Sequence, residues 1–170
     1  MADACIPHGI NPYEVCQAAS TKPFGYMPYS PDVGVGGHCI PVNPFYLLSN
    51  SHFPLLECAT LAMHSQPSRL AERMLKRLRQ RVTGRTPRVP VVGVGFKAGQ
   101  SQIDNSPGAD LADSLVKQCA LPQVRRLLDE DWRKDVLRKF DIIVVASRQA
   151  GVSFDILDEL DGVEIERWCQ

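Results

Sequence analysis

The chain has 170 residues, 44% of them hydrophobic, enough for a packed core within one ordinary domain or two small ones. Nineteen basic and nineteen acidic side chains give a formal net charge of zero. That leaves no basic field to draw the chain to nucleic acid or anionic lipid, and near-zero charge favours self-association.

The first predicted element is a helix over "NPYEVCQAAS", with Asn11 as its N-cap, Pro12 at the first helical position and Glu14 at the third. "TKPFGYMPYSPDVGVGGHCIPVNP" then reads as a long Pro- and Gly-rich loop of the kind that is ordered for function. "LLECATLAMHSQPSRLAERMLKRLRQRV" follows as helix, with Leu70, Met74, Leu75, Leu78 and Val82 at helical spacing and Pro67 able to start or kink it. Arg69, Arg73, Lys76, Arg77, Arg79 and Arg81 form its expected solvated face.

"TGRTPRVP", Thr83 to Pro90, reads as a surface connection, and it sets expected domains of 1–84, helical, and 85–170, α/β. Beyond it, "RVPVVGVGF" reads as a buried strand and "SPGADLADSLVKQ" as a helix from Ser106 with Pro107 first. "EDWRKDVLRKF" reads as an amphipathic helix, "DIIVVAS" as a strand, "FDILDEL" as a helix and "GVEIERW" as a last strand. Alternating strand and helix implies a small parallel sheet.

The six cysteines include no C-x-x-C pair, so no zinc or thioredoxin-like site is expected. With no signal peptide or long apolar run, they read as reduced thiols of a cytoplasmic protein without membrane attachment. Cys5, Cys16, Cys58 and Cys119 are expected in the core, with Cys169 exposed. Gly93 and Gly95 form a G-x-G, but the next glycine is Gly99 and no acidic ribose partner follows on a clear second strand, so the dinucleotide fingerprint is incomplete. Lys97, just past the strand, is placed where a phosphate could be held.

"TKPFGYMPYSPDVGVGGHCIPVNPFYLL" and "GVGFKAGQSQIDNSPGADL" resemble the C-terminal part of the UDP-glucose/GDP-mannose dehydrogenases, in the branch that oxidises UDP-N-acetylhexosamines. The resemblance implies an α/β fold, a helical dimerisation region followed by a small, incomplete parallel-sheet Rossmann-like domain resembling the UDP-binding domain. Family members oxidise a sugar C6 alcohol in two NAD-dependent steps through a cysteine thiohemiacetal. By position that cysteine is Cys39, with His38 and Lys97 as further catalytic candidates. Phe24, Tyr26, Tyr29, Gly36, Gly37 and Asn43 are the implied substrate-binding residues.

Departures shape the functional expectation. The family's NAD-binding portion, its catalytic lysine and its asparagine have no counterpart in this sequence, so no cofactor is expected for this chain alone. "DNSP" from Asp104 replaces the family's D-x-R-E-S-P, and a strand before "VKQCALPQV" is missing. The leading expectation is a repurposed, NAD-independent small-molecule enzyme or binding protein, with secondary metabolism as a setting. Alternatives are a non-catalytic dimerising module and one part of a split UDP-sugar 6-dehydrogenase. The expected partners are a small-molecule ligand and a second copy in a homodimer, with no nucleic acid and no metal.

Overall fold

The computed structural model describes residues 2–95, 102–119, 131–149 and 151–168. The chain forms two compact units, Met1–Asp32 and Val33–Gln170.

The first unit holds α1 (Ala2–Cys5), a 3-10 segment (Ile6–His8) and α2 (Pro12–Ser20). Asn11 caps α2 as expected: its side-chain oxygen accepts from the Tyr13 N–H at 3.0 Å, satisfying one of the donors a helix start leaves open. Cys5 and Cys16 are its buried hydrophobic residues. The segment after α2 is anchored where the Tyr13 hydroxyl donates to the Pro31 carbonyl at 3.3 Å.

In the second unit, α3 (Asn43–Ser49) and α4 (Pro54–His64) precede α5 (Gln66–Arg81), β1 (Val91–Val92), α6 (Pro107–Cys119), α7 (Lys134–Leu137), β2 (Ile142–Val145) and β3 (Glu164–Arg167). The three strands are parallel in the order β1-β2-β3, with Val91 opposite Val144 and Ile143 opposite Ile165. This is the helical region followed by a small parallel sheet that the sequence predicts.

Alternation along the strands sorts their side chains to two faces. Val91, Ile142 and Val144 pack with Leu70, Met74, Leu75 and Leu78 of α5 and Leu111 and Leu115 of α6. Val92, Ile143 and Val145 pack on the other face with Leu137, Leu157 and Leu160. Cover on both faces explains why 142–145 is an unbroken apolar run instead of an alternating one. The expected partition at 84/85 falls inside this unit, because α5 shares its core with β1, β2 and α6.

Three expectations change. The helix predicted over "EDWRKDVLRKF" is only Lys134–Leu137 among the described residues. Trp132 leaves the helical path to donate its indole N–H to the Ser153 carbonyl at 2.7 Å and to meet Phe154 edge-on at 5.4 Å. "FDILDEL" tightens to a 3-10 helix, Asp155–Glu159, and within "RVPVVGVGF" the strand proper is Val91–Val92, with the Arg88 and Pro90 carbonyls also accepting from the Asp141 and Val144 N–H groups. The point at which a strand was expected to be missing, between "DSL" and "VKQ", lies inside α6, which runs unbroken through Asp113–Gln118.

The basic face of α5 is not simply solvated. Arg77 pairs with Glu164 and Glu166, and Arg81 pairs with Glu164, tying the helix to β3. Among the described residues four thiols are free: Cys5 and Cys16 are buried, while Cys39 and Cys58 are exposed. Cys58 therefore departs from its expected core position, since no residue of α4 is buried. The Cys119 side chain and Cys169 lie outside the described residues.

Candidate functional site

The loop that carries Cys39 is fixed from below by glycines. Val33, only 1% exposed, anchors it in the α5–α6 core. Gly36 passes over the start of α6, where a Cβ would lie 2.6 Å from Pro107 Cδ and 2.8 Å from the Asn105 carbonyl oxygen. Only a residue without a side chain fits that approach. The Gly37 N–H donates to the same Asn105 carbonyl at 3.1 Å.

The other side of this contact is equally specified. Asn105 adopts a left-handed conformation (φ 50°), which its short polar side chain tolerates. Ser106 donates its hydroxyl to the Val94 carbonyl at 2.6 Å and accepts from the Ala109 N–H at 3.4 Å, capping α6 onto the end of β1. Residues 36–37 are thereby held against the strand-to-helix connection.

His38 and Cys39 follow at the exposed tip of the loop. The His38 Nε2 lies 3.1 Å from the Gln102 side-chain nitrogen, which also donates to Asp104 Oδ2 at 3.3 Å. The Cys39 carbonyl accepts from the Asn43 N–H at 2.8 Å, so the nucleophile candidate sits one turn ahead of α3. The next two residues, Ile40 and Pro41, form a wall of an apolar cavity of about 170 Å³. Val35, Pro44 and Phe45 complete that side, and Ala59, Thr60, Met63 and His64 of α4 face them.

The second unit thus carries Gly36, Gly37, His38 and Cys39 on one loop, with Asn43 opening the helix that follows. Phe24, Tyr26 and Tyr29 belong to the first unit. There Lys22 Nζ lies 5.1 Å from the centroid of the Phe24 ring, and the Tyr29 hydroxyl donates to Met27 Sδ at 3.0 Å. Lys97 lies outside the described residues. Gln102 and the cavity residues Phe45, Thr60, Met63 and His64 were not singled out in the sequence. Gln102 is 64 positions from His38, and no local pattern links them.

Gly93 is demanded by packing. Its φ is 73°, and a Cβ there would lie 1.7 Å from the Ser147 carbonyl oxygen. The space left by its missing side chain is filled by the Ser147 backbone, just past the end of β2. Among the described residues no group of three or more His, Cys, Asp or Glu side chains could hold a metal ion, and no helix is long and apolar enough to cross a membrane.

Residues 1–64 match the model of the UDP-glucose/GDP-mannose dehydrogenase family, central domain. The UDP-N-acetyl-D-mannosamine dehydrogenase of Pyrococcus horikoshii is 30% identical over 148 residues, covering 82% of this chain and 35% of that protein. The UDP-N-acetyl-D-glucosamine 6-dehydrogenase of Pseudomonas aeruginosa is 34% identical over 154 residues, covering 84% of this chain and 34% of that protein. The chain spans about a third of the length of these curated relatives.

Among solved structures, the UDP-D-ManNAc dehydrogenase of Pyrococcus horikoshii superposes with a TM-score of 0.74 at 21% identity, over 98% of this chain and 46% of that one. The UDP-N-acetyl-mannosamine dehydrogenase of Staphylococcus aureus gives 0.70 at 20% identity, over 98% and 46%. By sequence across residues 1–64 and by fold across nearly its whole described length, the chain is a relative of the UDP-glucose/GDP-mannose dehydrogenase family.

Proposed function

We propose that this chain is a nucleotide-sugar dehydrogenase-like protein whose Cys39 loop binds a small carbonyl compound without a nicotinamide step. The observation that carries this reading is the continuity of Cys39 with Ile40 and Pro41. Cys39, an exposed thiol, directly precedes two residues of the wall of an apolar cavity and directly follows His38, whose ring meets a side-chain amide. In the reaction, Cys39 Sγ as thiolate forms a bond to the carbonyl carbon. The π pair moves to oxygen, which takes one proton and gives a thiohemiacetal. The step is reversible and consumes no oxidant. The apolar wall takes the uncharged part of the ligand, and His38 supplies a polar contact for the oxygen.

The experiment is carbon-13 NMR with a carbonyl-labelled aldehyde. A thiohemiacetal carbon signal is expected with the unaltered chain and none with Cys39→Ser. The absence of that signal from the unaltered chain across aliphatic, aromatic and sugar aldehydes overturns the reading. Thermal shifts with UDP, UDP-GlcNAc and NAD, run alongside apolar ligands, separate an inherited nucleotide site from an apolar one.

A second reading, a non-catalytic dimerising module, is favoured by α3 and α4. Neither helix has a buried residue, and Tyr46, Leu47, Leu55 and Leu61 are each more than half exposed. Such a face is compatible with an interface. Light scattering tests it: a strict monomer at high concentration excludes the homodimer.

A further inference from the structure

The cavity lined by the loop after Val33, the start of α3 and one face of α4 has a volume of about 170 Å³. Sites for drug-sized ligands run to roughly 300–1,000 Å³, whereas an apolar cavity of about 150 Å³ takes a benzene ring. The volume therefore suits one six-membered ring with a small substituent and is too small for a nucleotide sugar.

Both walls are built on the start of α5. On one side, a Cβ at Gly34 would lie 3.3 Å from Pro67 Cγ, so the loop that carries Val35 and Ile40 is pressed against the first turn of that helix. On the other side, α4 ends at His64, and the Ser65 N–H donates to the Leu61 carbonyl at 3.0 Å just before α5 begins. The start of α3 is tied to the same loop by the Asn43 N–H, which donates to the Cys39 carbonyl at 2.8 Å. Walls held in this way are formed before a ligand arrives.

The lining selects a ring chemistry. Pro41, Pro44, Phe45 and Met63 supply flat and polarisable walls. An aromatic ring stacks offset or edge-on against Phe45 and takes the Met63 sulfur at its edge, which a saturated ring of the same volume does not. Thr60 and His64 are the two lining residues with polar side chains, four positions apart and so on one face of α4. Thr60 uses its hydroxyl proton on the Leu56 carbonyl at 2.7 Å, leaving its oxygen only lone pairs to offer. A neutral His64 ring offers one donor and one acceptor. A hydroxyl group, which both donates and accepts, suits the pair. A carboxylate, which only accepts, is opposed by the Thr60 lone pairs.

We propose that this cavity is a binding site for a small phenol-type aromatic, one ring with one hydroxyl held by Thr60 and His64. The proposal names the ligand class for the apolar wall invoked above. It rests on that reading only in treating the wall as a ligand site, and it requires no contact with the Cys39 thiol.

The test is a titration of the full chain, carbon-13-labelled at its methionine methyl groups, with p-cresol; the four methionines are assigned by substitution. The Met63 methyl is expected to shift saturably in the field of the added ring, while Met74, buried in the core, stays in place. Ala59→Trp, which brings a ring into the cavity from an exposed position of α4, should abolish the shift. His64→Phe should weaken p-cresol binding about tenfold and leave toluene, which has no hydroxyl, unchanged.

The lack of a saturable Met63 shift at millimolar p-cresol overturns the proposal. So do equal affinities for p-cresol and cyclohexanol, or equal losses of p-cresol and toluene in His64→Phe. A Met63 signal that moves on dilution of the protein and not with p-cresol shows a second copy in the cavity and also overturns it. The unaltered chain decides by itself, so a variant that fails to fold does not remove the test. Because p-cresol has no carbonyl, the two readings fail separately. Binding without any thiohemiacetal at Cys39 keeps the cavity site and rejects the Cys39 reading, and an adduct without p-cresol binding does the reverse.

Discussion

Arg85 holds Asp141 in a two-armed grip, Nη1 to Oδ2 at 2.8 Å and Nη2 to Oδ1 at 2.5 Å. The Arg88 backbone N–H donates to the same carboxylate at 2.7 Å. The pair spans 56 positions and fastens the connection after α5 to the residue just before β2. Hydrogen bonds from Arg85 first, opposed by burial and then joined by the Arg88 N–H, hold the Asp141 carboxyl below the usual carboxylate range.

That depression has a sign. The unfolded chain takes up the proton at higher pH than the folded one, so the stabilisation is present above the unfolded pKa and is lost as pH falls through the folded value. Asp141→Asn should cost about 1 kcal/mol at neutral pH and flatten the acid limb of stability. Urea unfolding from neutral to acidic pH measures both, and a variant with the same acid limb as the unaltered chain would refute the linkage.

Gly93 has no room for a side chain. Its positive φ and its contact with the Ser147 carbonyl leave no room for a methyl group. Gly93→Ala should destabilise by about 3 kcal/mol through backbone strain and forced separation of β1 from β2. Gly84, also at positive φ but with open space around it, is the control: Gly84→Ala should cost about 1 kcal/mol, from the backbone alone.

Ile143 is fully buried on the sheet face opposite α5 and α6. Ile143→Ala should cost about 3 kcal/mol, and Ile143→Val about 1 kcal/mol. Equal losses in the two variants, read from denaturation midpoints, would contradict the packing described.

Thiol accessibility offers a direct check on the site. In the native chain, iodoacetamide should modify Cys39 and Cys58 well before Cys5 and Cys16, which are only 7% exposed. Peptide mapping by mass spectrometry resolves the four. Early labelling of Cys5 or Cys16 without denaturant would contradict the burial of the first unit.

Much of the second unit was legible locally. Pro107 after Ser106 marked the start of α6, because proline fits a first helical turn and serine caps it. The run 142–145 read as a strand because β-branched residues suit an extended chain buried on both faces. Trp132 misled: the amphipathic pattern around it is helical, yet its indole found a better partner in Ser153, 21 positions away. Cys58 misled in the opposite way, since an apolar helix reads as core whether or not anything covers it.

At the candidate site the same division holds. The glycines and Cys39 announced themselves by spacing and by family resemblance. Nothing local announced that Gly36 lies against Pro107, or that Gln102 would reach His38.

What the sequence determined by itself was α2, α5, α6, the parallel sheet and the loop with a thiol at its tip, because caps, periodicity and glycine spacing act over a few residues. The tertiary structure decided which arginines face Glu164 and Glu166, which glycine is irreplaceable, and which amide meets the imidazole beside Cys39. Those contacts join residues from 54 to 89 positions apart, and only the packing of α5, α6 and the sheet brings them together.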